Sequence, residues 1–315
     1  MSRKNARIST SFRFAMHCMA PVLTPVFIMN MLSFQKKLAE VADNGKGVVF
    51  IGSGPEANGW IEPPGAGKVL TLGPHPDDAE AMCVTLRTFG KAGCEVHYII
   101  TALSPRGVTD EYALAFAERE GLKIPSEDQV QYKRELRRAE QIESAKAAGF
   151  VRREPDFPSL DEDSEGRLLD TEKNVGAIAA CLAAESPDVV LMPVGTDTNS
   201  DHALTWKWFR RVAPELVAST GKPVLALYIR DPKTTSITEH LAVPFDKDIA
   251  RWKAGILTIH RTQHERNLAS RGYGMDGRIL ERVNRPAWDR LKKNLAPEFS
   301  SKYSYAEVFQ VELFS

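Results

Sequence analysis

Cysteine is scarce in this sequence: four residues in 315, at Cys18, Cys83, Cys94 and Cys181, with no C-x-x-C unit among them. That excludes a cysteine-built metal knuckle and a disulfide-dense secreted scaffold, and it points to a reducing compartment in which cysteines serve as small core residues. Cys83 and Cys94 flank a predicted helix, which leaves one disulfide open. Excess charge is missing too. Lys and Arg number 41, Asp and Glu 41, so there is no electrostatic footprint for nucleic acid and that class of partner is set aside. The basic segment Lys133–Arg138, with Glu135 inside it and Glu140 just beyond, reads as a solvated helix face. No internal repeat or low-complexity tract is present. Also lacking is an unbroken run of about 20 strongly apolar residues, which a spanning helix needs. The uncharged run Phe14–Phe34 is interrupted by His17, Pro21, Pro25 and Asn30, so stable membrane insertion is not expected. Arg3, Lys4, Arg7 and Arg13 precede that run. Three readings of it stay open: a disordered leader, with Met29 or Met31 as the true start; an export signal or anchor; or a helix buried on the domain. The reading adopted is a cytoplasmic protein.

What is present is a chain that is 43% apolar, enough for one packed α/β domain. Residues 1–64 read as an N-terminal extension: the leader, a helix over Phe34–Ala42, a short strand over Val48–Ile51 and a Gly/Pro-rich linker. From residue 65 to 315 strands and helices alternate in a single main domain. Strands are predicted at Val69–Leu72, Glu95–Thr101, Asp188–Met192 and Val224–Ile229. Helices are predicted at Ala79–Lys91, Val130–Ala148, Leu169–Ala184, His202–Ala218 and Arg251–Leu268. This order predicts an α/β, Rossmann-like, mostly parallel sheet with helices on both faces. Ligands of such sheets bind beyond the carboxyl ends of the strands, which selects the loops at residues 73–78, 102–110, 193–202 and 230–236.

Two of those loops carry chemistry. Gly73-Pro74-His75-Pro76-Asp77-Asp78 follows an apolar strand, and its two prolines stiffen the turn. Helix capping would account for one of the two acids, but not for the histidine and both acids together. The second loop, residues 193–202, follows the strand ending at Met192 and closes on Asp201-His202. Two imidazoles and one carboxylate leave coordination positions for water and substrate, as hydrolytic zinc requires; the same donors suit Fe(II).

The motifs together resemble the LmbE/PIG-L family of metal-dependent N-deacetylases. His75-Pro76-Asp77-Asp78-Ala79-Glu80 carries the resemblance most specifically. Arg137-Arg138-Ala139-Glu140 with Ala148-Gly149, then His260-Arg261-Thr262-Gln263, then Tyr305-Ala306-Glu307-Val308-Phe309 follow in the family's order over about residues 67–312. The resemblance implies a zinc-dependent hydrolase that removes an N-acyl group, by preference acetyl, from an amino sugar or glycoconjugate. His75, Asp78 and His202 would be the metal ligands and Asp77 the general base. In two places the sequence departs from the family. Asn199 stands where a histidine is usual, so it is expected to donate a hydrogen bond to the oxyanion, and two sources of the acid stay open: Asp77 serving as both base and acid, or assistance from His260 or His264. Cys83-Val84-Thr85 replaces a glycine pair after the first motif.

The change at Asn199 keeps an alternative open: a metal- and carbohydrate-binding protein of the same fold with altered or lost turnover. Arg106, Arg230 and His264 are candidate substrate contacts, and Arg271-Gly272-Tyr273-Gly274 is a candidate segment closing over the site. A dinucleotide reading of Gly52-Ser53-Gly54 fails because Ala57 occupies the third glycine position. His97 and His240 read as structural, and Trp206, Trp208 and Phe209 as core. A homo-oligomer stays open.

Overall fold

A computed structural model describes residues 29–45, 47–52, 59–152 and 160–315. The leader, Cys18 and part of the Gly52–Ala57 stretch lie outside the described residues. Nine strands are seen among them: β1 (Val49–Ile51), β2 (Trp60–Ile61), β3 (Lys68–Gly73), β4 (Glu95–Ile100), β5 (Val151–Arg152), β6 (Val189–Pro193), β7 (Val224–Ile229), β8 (Leu241–Phe245) and β9 (Tyr305–Phe314). They form one sheet in the order β2-β1-β8-β9-β7-β6-β3-β4-β5. Every pairing is parallel except those of β9, which runs antiparallel between β7 and β8. The expected mostly parallel α/β sheet is therefore present.

The strand sequences explain why helices cover both faces. Successive side chains of a strand point to opposite faces, and in β6 both sets are apolar. Val189 and Leu191 join one core, which includes Phe34, Leu38, Leu86, Phe89 and Leu257. Val190 and Met192 join the other, with Ile178, Leu182, Trp208, Phe209 and Val212. The first face is thus covered by helices Met31–Asn44, Cys83–Ala92 and Lys247–Ile259, the second by helices Glu172–Glu185 and Ser200–Thr220. Trp208 and Phe209 are core residues, as expected.

The helix and strand read as lying ahead of the domain are built into its sheet. Phe34 and Leu38 are fully buried, Gln35 Nε2 donates to the carbonyls of Asp188 at 2.8 Å and Pro223 at 3.2 Å, and β1 pairs with β8. Phe34 of the Met31–Asn44 helix packs edge-on against Phe89 in the same core, so this helix and β1 belong with the sheet that follows residue 65. Cys83, Cys94 and Cys181 are buried and free, so the disulfide left open between the first two is not formed. The helix expected over 251–268 is two helices, Lys247–Ile259 and Arg261–Arg271, broken at His260, whose ψ of 67° leaves the helical range. Among the described residues no helix is long and apolar enough to cross a membrane.

Candidate metal centre and active site

The carboxyl ends of β3, β4, β6 and β7 open into a cavity of about 420 Å³, lined among others by His75, Asp77, Asp78, Arg106, Asn199 and His202. The first loop builds one wall. Gly73 sits close under His75 O and the Tyr98 ring, where a Cβ would meet atoms at 3.3 Å, and Tyr98 Oη donates to Pro76 O at 2.6 Å. The turn closes on itself: His75 N donates to Asp78 Oδ2 at 2.6 Å and Asp78 N to His75 O at 3.2 Å. Asp77 occupies the N-cap position of the short helix Asp78–Ala81 without capping it. Its carboxylate instead accepts from Arg137 Nη2 at 2.5 Å. Neither acid is therefore spent on helix capping.

The second loop places the other imidazole. Gly195 is packed under Trp206, where any Cβ would collide with the indole at 2.2 Å. Asn199 caps the helix Ser200–Thr220, its side-chain oxygen accepting from Asp201 N at 3.2 Å. This brings His202 Nε2 to 3.1 Å from His75 Nδ1 and 3.4 Å from Asp78 Oδ1, while His75 Nδ1 lies 3.6 Å from Asp78 Oδ2. The far nitrogens face carboxylates: His75 Nε2 lies 3.0 Å from Asp201 Oδ2 and His202 Nδ1 3.3 Å from Asp197 Oδ2. Such partners hold the proton on the far nitrogen and turn the free lone pair inward. Two lone pairs and a carboxylate then converge on one point inside the protein, an arrangement that repels itself unless a cation lies between them. Donors at tetrahedral angles around zinc, each roughly 2.0–2.2 Å from it, stand about 3.3–3.6 Å apart, close to the spacings seen. The residues fit a divalent metal.

Electrostatics differ from group to group. Burial would raise the Asp77 carboxyl, but Arg137, His260 and His75 outweigh it and hold it well below the usual carboxylate range. Asp201, despite burial, is lowered to about 2 by His75 and Arg106, and Arg106 Nη2 donates to it at 2.9 Å. Asp231 is pushed up to about 7 by burial.

Three expected contacts are not made. His260 is fully buried behind the site, its Nε2 3.2 Å from Glu80 Oε1, and does not line the cavity; it reaches Asp77 only through its charge. His264 packs its ring against Gly274 and accepts from Met275 N at 3.3 Å, and it too is absent from the cavity wall. Arg230 is turned away to Glu239 at 3.2 Å. Conversely, Arg137, Asp197 and Asp231 belong to the site without having been singled out. Arg137 had a signal, the R-x-x-E pattern. The two aspartates had none beyond their loops.

One further element holds the ligand turn. The helix expected over 79–91 is broken at Met82 into Asp78–Ala81 and Cys83–Ala92, where the glycine pair is missing. The break leaves backbone groups unpaired, and two remote residues satisfy them. Glu307 of β9 accepts from Val84 N at 3.1 Å and Thr85 N at 2.8 Å. Lys253 Nζ donates to Ala81 O and to Glu307 Oε1, both at 2.6 Å. Both side chains are fully buried. Lys253→Met should destabilise the fold by about 3–5 kcal/mol, because it strands a buried carboxylate. A denaturant midpoint that stays within error of the parent would show that the pair is dispensable.

The sequence over residues 70–213 matches the family model described as PIG-L, GlcNAc-PI de-N-acetylase. The matched segment is a little under half of the chain. No curated protein matches the sequence. Solved structures similar in fold include the N,N'-diacetylchitobiose deacetylase of Pyrococcus horikoshii, 19% identical with a TM-score of 0.54 over 78% of this chain and 83% of that one. The 4-carboxy-2-hydroxymuconate hydratase GalB of Pseudomonas putida is 17% identical, with a TM-score of 0.53 over 78% and 95%. The A40926 pseudoaglycone deacetylase Dbv21 is 18% identical, with a TM-score of 0.51 over 78% and 98%. At these identities the likeness is one of fold. The matched residues hold both loops that carry His75, Asp78 and His202, while β8, β9 and the segment around Arg271 lie beyond them.

Proposed function

We propose that this protein is a zinc-dependent N-deacetylase acting on an N-acylated amino sugar or glycoconjugate. The observation that carries the reading is Asp77: an ionised carboxylate at the edge of the His75–Asp78–His202 cluster, neither a ligand nor a helix cap. A metal bound by those three residues supplies Lewis acidity toward an acyl oxygen and lowers the pKa of water. Asp77 then accepts the proton of the attacking water and returns it to the departing amine. Arg137 holds the Asp77 carboxylate ionised and aimed at the cavity. Asn199, whose side-chain oxygen is committed to the helix cap, keeps its amide NH2 to donate to the tetrahedral oxyanion. Asp201 and Asp197 fix the two imidazole rings.

The similar fold of a hydratase makes reaction type the point to test. Release of primary amine from N-acetylglucosamine and N,N'-diacetylchitobiose, followed with fluorescamine, should depend on added zinc. Bound metal with no amine released from any N-acylated sugar would favour the reading of a metal- and carbohydrate-binding protein without turnover.

A further inference from the structure

Beyond the candidate metal ligands, the cavity wall is rich in cations. Lys233, Arg266, Arg271 and Arg278 line it together with Arg106 and Arg137. The last two are spoken for, Arg106 by Asp201 and Arg137 by Asp77. The other four form no ion pair among the described residues. Elsewhere on this neutral chain exposed arginines do find acids: Arg210 meets Glu312, Arg211 meets Glu172, Arg261 meets Glu143 and Arg290 meets Glu239. The cavity lining thus holds four cations without a carboxylate of the described residues within ion-pair distance, against the single acid Asp231 beside the metal-site pair Asp77 and Asp78. Arg266 registers this, since burial and then the neighbouring Arg271, Arg137 and Arg278 lower its affinity for its proton. A bound divalent metal would add to the same field.

Local backbone is arranged to present these groups. Gly272 takes the left-handed φ of 74° that ends helix Arg261–Arg271, and Gly274 lies so close to His264 that a Cβ would stand 2.1 Å from its ring. The chain then enters a π-helix, Gly277–Asn284, a conformation that is rare and concentrated at functional sites; it brings Arg278 and Ile279 to the cavity wall.

We infer that Lys233, Arg266, Arg271 and Arg278 form an anion subsite, and that the N-acylated substrate carries a multiply charged oxyanion, a phosphate ester or carboxylates, seated there while its acyl group faces the metal ligands. Guanidinium forks match both oxyanions, and the mutual repulsion of Arg266, Arg271 and Arg278, with Lys233 on the same cavity wall, is relieved by a ligand of opposite sign. The substrate part of this inference rests on the deacetylase reading; the subsite itself does not.

The test uses the full-length metal-loaded protein and the double variant Arg271→Gln/Arg278→Gln, which removes repelling charges and so should melt no lower than the parent. Binding of inorganic pyrophosphate is measured by calorimetry. Amine release is measured on N-acetylglucosamine, on its 6-phosphate and on N-acetylmuramic acid, the last two separating phosphate from carboxylate. Pyrophosphate should bind the parent and bind the variant about tenfold or more weakly, the loss of two charge-assisted contacts. At least one anionic substrate should exceed the neutral sugar in kcat/KM by a similar factor, and the variant should erase that preference. Pyrophosphate binding that is equal in parent and variant, and so belongs to the metal alone, would overturn the subsite. So would turnover of the neutral sugar as fast as both anionic ones. Arginine-dependent pyrophosphate binding without amine release from any substrate would uphold the subsite and remove the deacetylase reading instead.

Discussion

His202→Ala is expected to empty the metal site while leaving the fold in place, with bound zinc falling from about one per chain to background in elemental analysis. His202 is one of three converging donors, and its partners cannot replace it. His75 and Asp78 are held by their own turn at fixed spacing, and two donors without a third lose most affinity for a tetrahedral ion. The same variant predicts a thermal signature. Metal that binds only the folded chain stabilises it by about 4 kcal/mol at a thousand times its dissociation constant. A chelator should therefore lower the melting temperature of the parent and leave that of His202→Ala where it is. Asp197→Asn and Asp201→Asn touch the rings from behind and should weaken metal binding by roughly 10–100-fold without abolishing it. Full zinc occupancy in His202→Ala would end the assignment of the site.

Asp77→Asn should have the second largest effect, a fall in kcat of about two to four decades with metal retained. Asparagine keeps the shape and can still meet Arg137, but it cannot accept a proton at neutral pH. The rival view is that Asp77 serves only to anchor Arg137, which also donates to Ser104 O at 2.9 Å and whose helix packs on the site. In that case the variant would melt at a lower temperature and turn over normally. Measuring kcat, zinc content and melting temperature on one preparation separates the two, and near-parental kcat would remove Asp77 from the chemistry.

The ligand loops were legible because each follows a strand whose apolar run marks it, and because a parallel sheet places all such loops at one edge. Position in the chain was thus enough to bring His75 and His202 together across 127 residues. The same rule placed Arg106 at that edge, where it pairs with Asp201. The rule gave no access to residues whose role depends on docking of the C-terminal third. His260 looked catalytic because it sits in a motif, yet the turn at that residue sends its ring into the core toward Glu80, and nothing local marks that direction. Arg266 and Arg278 were invisible for the converse reason: they face the cavity only because helices Lys247–Ile259 and Arg261–Arg271 fold back over it. The strands β8 and β9 were also missed. Pro244 interrupts the first in sequence, and its missing donor is tolerated because β1 pairs only with Leu241 and Ala242, short of the proline.

The insertion of β9 between β7 and β8 has a consequence for how the protein is made. Glu307 on that strand seals the helix break beside Asp78, although it follows Val84 by 223 residues. At a synthesis rate of roughly 5–20 residues per second, the ligand turn leaves the ribosome on the order of ten seconds or more before the strand that secures it exists. Until then β7 and β8 present open edges to each other and to neighbouring nascent chains, a state prone to mispairing. Nascent chains that stop short of Tyr305 are therefore expected to hold the Asp78 turn less firmly and to take up added zinc more weakly than chains that include β9, a difference that elemental analysis of the two would show.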